Sequence, residues 1–288
     1  MSPAIELPGL RADSPAGALV LYGLASLLPR SARVRWKTSS SLSWHAEVSD
    51  EGLHDLGQLV GLVVEAIKAD SLTGLPSVAP DLNKLTPEGW VAASVRPDAV
   101  GRVIAGLSAQ APLRPQGQVP FTPLCVISFR GKGSFFGPAV KQDTTIKVPE
   151  LSELLAGPWR YRKACNTLGL DPDARRQDGA VIGPDPSADG VRGVPGLVPL
   201  ALRGLAAVAP MPGETRLRGG AFAGTSQGTE FRWPVVVEPV PVDALPLVAA
   251  RDWESSSDAQ RAAASVEAVF ASRILRGERR LSAGRRVA

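Results

Sequence analysis

The sequence contains little of the material from which catalytic and metal sites are built. Its 288 residues include only two histidines and two cysteines. It has no CxxC pair, HExxH sequence or histidine-rich tract, so neither a zinc site nor a disulfide framework is predicted. We therefore expect no metal and no cofactor, and we expect Cys125 and Cys165 to be reduced thiols in a cytoplasmic protein.

Long apolar stretches are also missing. The longest, residues 16–28, is interrupted by Gly17, Gly23 and Ser26. It falls short of the roughly 20 residues that a membrane-spanning helix needs. The first residues include no basic region, and Glu6 lies where a signal peptide would be apolar or basic. The sequence therefore predicts neither a membrane span nor a signal peptide.

The composition is that of a globular chain with many turns. Hydrophobic residues make up 44% and charged residues 21% of the sequence, which also contains 29 glycines and 26 prolines. Helical and strand patterns do not alternate regularly, which indicates an α+β fold of mixed helices and short antiparallel strands. We expect an α+β domain over residues 1–254, with a sub-boundary near 112–120. A C-terminal helix and an arginine-rich tail are expected over residues 255–288.

Hydrophobic periodicity and turn residues place the expected elements. An oxygen-bearing cap followed by Pro15 predicts the start of the first helix. Residues 49–50 are predicted to cap a long second helix. Further helices are predicted from Pro97 and over 150–156, 197–208 and 259–276. Strands are predicted over 32–37, 42–48, 122–130, 216–222 and 229–238, and a long surface loop or a weak hairpin over 171–193.

Positive charge is concentrated in clusters. The net charge is only +4, but residues 273–288 contain six arginines and one acid. Strand alternation over 32–37 places Arg33, Arg35 and Lys37 on one face and Val34 and Trp36 on the other. That arrangement predicts a basic strip backed by core, which is either a nucleic-acid contact or a solvated sheet face.

A second basic region lies in the middle of the chain. Residues 129–136 (FRGKGSFF) interleave cations with aromatic rings and glycines, a composition that suits contact with phosphates and bases. The spacing is not that of a P-loop, and a tight turn with buried phenylalanines is the alternative. The full set of predicted nucleic-acid contacts is Arg33, Arg35, Lys37, Arg130, Lys132, Lys141, Lys147, Arg160, Arg162, Lys163, Arg279, Arg280, Arg285 and Arg286, the last four on a flexible arm.

Carboxylates allow a competing hypothesis. Asp171 and Asp173 could serve a metal-dependent nuclease or another hydrolase, although aspartates in turn-rich segments commonly cap backbone N–H groups. A third alternative is a protein–protein adaptor that makes no nucleic-acid contact. No catalytic residue is assigned on the sequence alone.

Several separated segments resemble one family. Residues 6–10 (ELPGL), 14–15 and 21–24 (LYGL) resemble the start of large-subunit-like proteins of CRISPR type I-U, also called type I-G. The resemblance continues through residues 122–124, 157–161 (GPWRY), 170–172 and 231–234 (FRWP). It covers roughly residues 5–250, and none of its segments is catalytic.

The resemblance implies a non-enzymatic subunit of an RNA-guided surveillance complex of the Cascade type. In such a complex, base pairing with the guide reads the target while proteins hold the backbone and inspect a short flanking motif. The implied partners are guide RNA and target DNA, other Cascade subunits, and a helicase–nuclease that the complex recruits in antiviral defense.

Overall fold

The protein is an α+β fold, as the sequence predicts. Its structure, a computed structural model, describes residues 4–39, 43–78, 86–107, 124, 136–161, 163–165, 167–174, 192–209, 220–226, 228–275 and 280–288. Four of the predicted features lie outside this set. They are the proposed sub-boundary, all of the predicted strand 122–130 except Leu124, the aromatic segment up to residue 135, and residues 175–191 of the predicted loop.

Helices and strands are distributed along the described part of the chain. The helices are α1 (Pro15–Ala25), α2 (Leu56–Ala69), α3 (Leu75–Val78), α4 (Pro87–Ser94), α5 (Ala99–Leu107), α6 (Phe136–Thr145), α7 (Val148–Ala156), α8 (Leu197–Gly204), α9 (Leu245–Ala249) and α10 (Asp258–Ala263), with 3₁₀ turns at Leu72–Gly74 and Leu205–Val208. The strands are β1 (Ala4–Arg11), β2 (Arg33–Thr38), β3 (Trp44–Ser49), β4 (Lys163–Ala164), β5 (Arg192–Gly193), β6 (Phe222–Thr225), β7 (Gly228–Val236), β8 (Val240–Pro241), β9 (Val266–Leu275), β10 (Arg280–Leu281) and β11 (Arg285–Arg286).

Two antiparallel sheets organise these elements. The first has the strand order β1-β3-β2-β8, and the second has the order β10-β9-β7-β6 with β11 also paired to β9. The short strands β4 and β5 pair with each other. One residue joins the two larger sheets directly, because the buried indole N–H of Trp233 on β7 donates to the carbonyl of Ala12, 2.7 Å away, just after β1.

Helix α1 lies at the centre of the core. Ser14 caps it by accepting a hydrogen bond from the Gly17 amide, and Pro15 takes the first helical position, as predicted. Every residue of α1 is buried, and it packs backbone to backbone against α8. A Cβ added to Gly23 would lie 1.8 Å from the carbonyl oxygen of Leu200, so only glycine permits this approach.

The prediction of a long C-terminal helix is wrong. A short helix, α10, is followed by the ten-residue strand β9. The alanines of this segment favour helix, but Val266, Val269, Phe270 and Ile274 suit a strand, and β9 pairs with β7 along most of its length. Sheet pairing and burial therefore override the local helix propensity.

The basic end of the chain is not a flexible arm where the structure describes it. Arg280–Leu281 and Arg285–Arg286 form β10 and β11, and both strands pair with β9. Val287 and Ala288 pack against a small apolar cluster that includes Trp253 and Val269. The C-terminal residues therefore belong to the second sheet.

Two further differences concern the first 70 residues. The long helix α2 is capped by Asp55, which accepts a hydrogen bond from the Gln58 amide, and not by residues 49–50. Asp50 instead accepts from Gly52 in a turn. Strand β1 was not predicted, because Pro8 and Gly9 interrupt its alternation of buried Ile5 and Leu7 with exposed neighbours.

The other predicted helices agree with the structure within a few residues. Among the described residues, no helix combines the length and apolar character that crossing a membrane requires.

Candidate nucleic-acid interface

The basic strip predicted on β2 is present. Val34 and Trp36 are buried in the core, while Arg33 is exposed and Arg35 and Lys37 are partly exposed on the opposite face. The alternation follows from the pleat of the strand, which directs successive side chains to opposite sides. We use the name basic strip for Arg33, Arg35 and Lys37.

A buried carboxylate underlies the strip. Glu47 on β3 pairs in register with Arg35, and its side chain is only 4% exposed. Its Oε1 accepts a 2.6 Å hydrogen bond from Arg35 Nε, and its Oε2 lies 3.4 Å from Lys37 Nζ. Glu47 binds Arg35 through Nε. Neither of the two terminal nitrogens of the guanidinium makes a hydrogen bond within the described residues. The contact fixes the orientation of Arg35 and leaves its outer edge available.

A second carboxylate competes for Lys37. Glu6 on β1 is 50% exposed and accepts a 2.5 Å hydrogen bond from Lys37 Nζ. This contact lowers the pKa of Glu6 and raises the pKa of Lys37, each chiefly through the hydrogen bond. His45 Nε2 lies 3.4 Å from the other Glu6 oxygen. The exposed carboxylate of Glu6 therefore neutralises Lys37, and water or another anion can replace it.

The strip differs from its surroundings on the same face. Register pairs Arg33 with Ser49 and then Ala4, and Arg35 with Glu47 and then Glu6. Lys37 pairs with His45, which in turn pairs with Arg11 beyond an irregularity in β1. Arg11 is held by Asp13. Positive charge on this face is thus concentrated along β2, and the negative charge lies on β3 and β1.

Glu150 on α7 contacts two more of the predicted residues, Lys147 through its backbone and Lys163 through its side chain. Glu150 Oε2 accepts from the Lys147 amide, and Glu150 Oε1 accepts from Lys163 Nζ. Both lysines are exposed. Lys141 on α6 and Arg160 beyond α7 are also exposed, and neither forms an ion pair with any other described residue. This group lies outside the first sheet.

The terminal arginines are used within the second sheet. Arg285 donates a 2.6 Å hydrogen bond to Glu230, which is buried on β7. Arg286 places its guanidinium 5.7 Å from the centre of the Trp44 ring and donates to the carbonyl of Glu267. Arg130, Lys132, Arg162, Arg279 and the side chain of Arg280 lie outside the described residues.

One carboxylate of the competing hypothesis, that of Asp171, has a structural role. Asp171 is 1% exposed, and its Oδ1 accepts a 2.9 Å hydrogen bond from the Asp173 amide and a longer one from the Tyr161 hydroxyl. This is the backbone-capping arrangement that the turn-rich sequence suggested. Burial raises the pKa of Asp171 to about 6. Asp171 is thus buried, although the sequence places it at the start of a surface loop or a weak hairpin.

Sequence reasoning missed Glu6 and Glu47, which determine the electrostatics of the strip. Glu47 could have been placed, because alternation in the predicted strand 42–48 sets it on the face opposite Ala46 and Val48. Glu6 could not, because β1 itself was not predicted and its pairing with β3 is a long-range contact.

No arrangement of three or more histidine, cysteine or acidic side chains suited to a metal ion occurs within the part of the chain that the structure describes. Comparisons with protein-family models, with curated proteins and with solved structures found no match.

Proposed function

We propose that this protein binds the sugar–phosphate backbone of nucleic acid through the basic strip, as a non-catalytic subunit of an RNA-guided CRISPR surveillance complex of type I-U/I-G in the cytoplasm. Its partners in this proposal are guide RNA and target DNA, the other Cascade subunits and the recruited helicase–nuclease. The observation that carries the proposal is the row of three cations on the solvent face of β2, fixed from behind by Val34 and Trp36 in the core.

The geometry suits exchange between internal and external anions. A phosphate that reaches Arg35 meets a guanidinium already oriented by Glu47, so little side-chain entropy is lost on binding. Lys37 exchanges the exposed carboxylate of Glu6 for a phosphate. Arg33 has no ion-pair partner among the described residues and contributes its whole charge. Backbone contacts of this kind hold a nucleic acid without reading its sequence.

The role in an RNA-guided complex is supported by the family resemblance of residues 5–250, and the backbone-binding role is supported by the strip. In such a complex the guide supplies sequence recognition, so a protein that contacts phosphates alone is sufficient for this part of the assembly.

The test is the salt dependence of binding to a labelled oligothymidine, measured by fluorescence anisotropy. The double variant Arg33→Gln/Lys37→Gln is expected to lower the slope of log K against log salt by about 1.4, since each phosphate contact to a single strand contributes about 0.7. The control variant Lys68→Gln/Arg96→Gln removes the same charge from exposed, carboxylate-paired cations of α2 and the segment before α5.

An unchanged slope in the double variant would exclude the strip as the contact surface. A slope that falls equally in the control would show a net-charge effect. Purification from the native host tests the assembly separately, because guide RNA and Cascade subunits are expected to accompany the protein.

A further inference from the structure

We infer that the affinity of the basic strip for phosphates is regulated by pH through His45, which places a further positive charge beside Lys37 when it is protonated. The inference rests on the proposed function and specifies how the same surface is regulated. It follows from the position of His45 on the face of the strip, from the carboxylate that it shares with Lys37, and from the balance of charge around it.

His45 lies on the same face of the first sheet as the strip. It pairs in register with Lys37 on β2 and, on its other side, with Arg11 on β1. Side chains of directly paired residues point to the same side of a sheet, with Cβ atoms about 4.5–5.5 Å apart. A charge on the imidazole therefore acts at short range on any phosphate that Lys37 binds.

His45 and Lys37 share one carboxylate. Glu6 Oε1 accepts the 2.5 Å hydrogen bond from Lys37 Nζ, and Glu6 Oε2 lies 3.4 Å from His45 Nε2. The His45 side chain is only 13% exposed, and its Nε2 is buried and makes no hydrogen bond within the described residues. Both ring nitrogens of a protonated imidazole are donors, so protonation makes Nε2 a donor that faces a carboxylate oxygen.

Glu6 keeps its charge when the imidazole gains a proton. The pKa of Glu6 is lowered, chiefly by the hydrogen bond from Lys37 and further by His45. Histidine, in contrast, is the side chain that ordinarily changes its charge between about pH 5 and 8. Mild acidification therefore adds a cation to this face without removing the carboxylate that stabilises it.

The other charges that face His45 from β1 and β2, together with the groups that bind them, balance one another. They form three pairs, which are Lys37 with Glu6, Arg35 with Glu47, and Arg11 with Asp13. While the imidazole is neutral, these pairs leave no excess positive charge around it among the described residues. Protonated His45 adds one positive charge to the group, so phosphates are attracted more strongly as the pH falls.

The experiment measures the binding of labelled oligothymidine by fluorescence anisotropy at pH 5.5 and pH 7.5, at one salt concentration. Neither the bases nor the phosphodiesters of this ligand titrate in that range. The natural protein is expected to bind about three- to tenfold more tightly at pH 5.5, the gain expected for one added charge close to a surface phosphate. In His45→Gln the ratio of the two affinities is expected to fall close to one.

Two controls assign the effect, because the sequence contains only two histidines. His54 is exposed just before α2, so His54→Gln is the matched variant and is expected to keep the ratio of the natural protein. Asp171→Asn removes the buried acid whose pKa is raised by burial to about 6, and it is also expected to keep the ratio. Thermal unfolding at both pH values verifies that each variant is folded.

A second measurement detects the proton itself. Phosphate binding and protonation of His45 favour each other by the same factor, so binding takes up a fraction of a proton. Calorimetric titration near about pH 6.5 in buffers of different ionisation enthalpy measures this uptake, which is expected to be absent from His45→Gln. If that variant is unfolded, Glu6→Gln at a half-exposed position replaces it. The loss of the carboxylate disfavours the protonated imidazole, so uptake near this pH and the affinity ratio should both decrease.

The outcomes separate the inference from the proposed function. An affinity that does not change with pH, or a ratio that His45→Gln leaves unchanged, would overturn the inference. A ratio that persists in Arg33→Gln/Lys37→Gln would overturn it as well, because the pH effect would then act at another surface. The proposed function survives these results if the salt slope still falls in Arg33→Gln/Lys37→Gln, and it fails if that variant binds as the natural protein does at pH 7.5.

Discussion

Two ion pairs, each between a basic and an acidic side chain, have different roles in the interior and on the first sheet. In the interior, Arg203 of α8 and Asp143 of α6 form an ion pair in which both side chains are almost completely buried. Asp143 also accepts hydrogen bonds from the Leu72 amide and the Ser71 hydroxyl, and Arg203 donates to the carbonyl of Asp70. On the first sheet, Lys37 and Glu6 pair at the surface, where solvent reaches both partners.

The comparison indicates that burial, and not ion pairing itself, decides whether a charged side chain is needed for the stability of the fold. A buried pair has lost its hydration, so neither partner can be released without a large penalty. A surface pair is worth little because water and salt compete with it. Arg203 is therefore a structural residue, while Lys37 and Glu6 stay in contact with solvent.

The largest expected effect is at the interior pair. Asp143→Ala should lower the free energy of unfolding by about 3–5 kcal/mol, because it leaves the Arg203 guanidinium buried without its counter-charge. Urea denaturation measures the loss. The double variant Asp143→Leu/Arg203→Met should cost clearly less than the sum of the two single variants, since it removes both charges together. Additive losses would show that the two residues do not act as a pair.

Asp171 sharpens the comparison because it is a buried acid that lacks an ion-pair partner among the described residues. Burial raises its pKa to about 6, so the folded state binds this proton more tightly than the unfolded state does. Its contribution to stability is complete below the ordinary pKa of an aspartate and is lost as the pH rises from about 4 to 6. Asp171→Asn should therefore be more stable than the natural protein at pH 7, by up to about 3 kcal/mol.

The measurement is the difference in unfolding free energy between Asp171→Asn and the natural protein across pH 4 to 7. The difference should grow with pH and level off above about 6. The Asn side chain retains the oxygen that accepts from the Asp173 amide, so the turn is preserved. A constant difference over this range would contradict the raised pKa.

Local pattern was sufficient to predict part of this molecule. The cap at Ser14, the alternation that buries Val34 and Trp36, and the apolar helix at 197–204 depend on neighbouring residues, and each is present. The partners of the charged groups could not be predicted in the same way. Arg203 interrupts an apolar helix in the sequence, and its partner Asp143 lies 60 residues away on another helix.

The C-terminal segment shows the limit most clearly. Its alanines predict a helix and its arginines a free tail, yet β9 is held by β7 on one side and by β10 and β11 on the other. Arg285 and the buried Glu230 complete this arrangement through a contact between residues 55 positions apart. Local propensity carries no information about such pairing.

The smallest effect on stability, and the most specific effect on binding, is expected from Glu6→Gln. The surface pair with Lys37 contributes less than about 1 kcal/mol, so the unfolding free energy should change little. Lys37 then loses its exposed competitor, and oligothymidine should bind more tightly at a given salt concentration. Glu65→Gln is the matched control, because it releases Lys68 on α2 in the same way but away from the strip. Tighter binding in both variants would mean that any freed lysine binds the strand, whereas an effect confined to Glu6→Gln would locate the contact on β2.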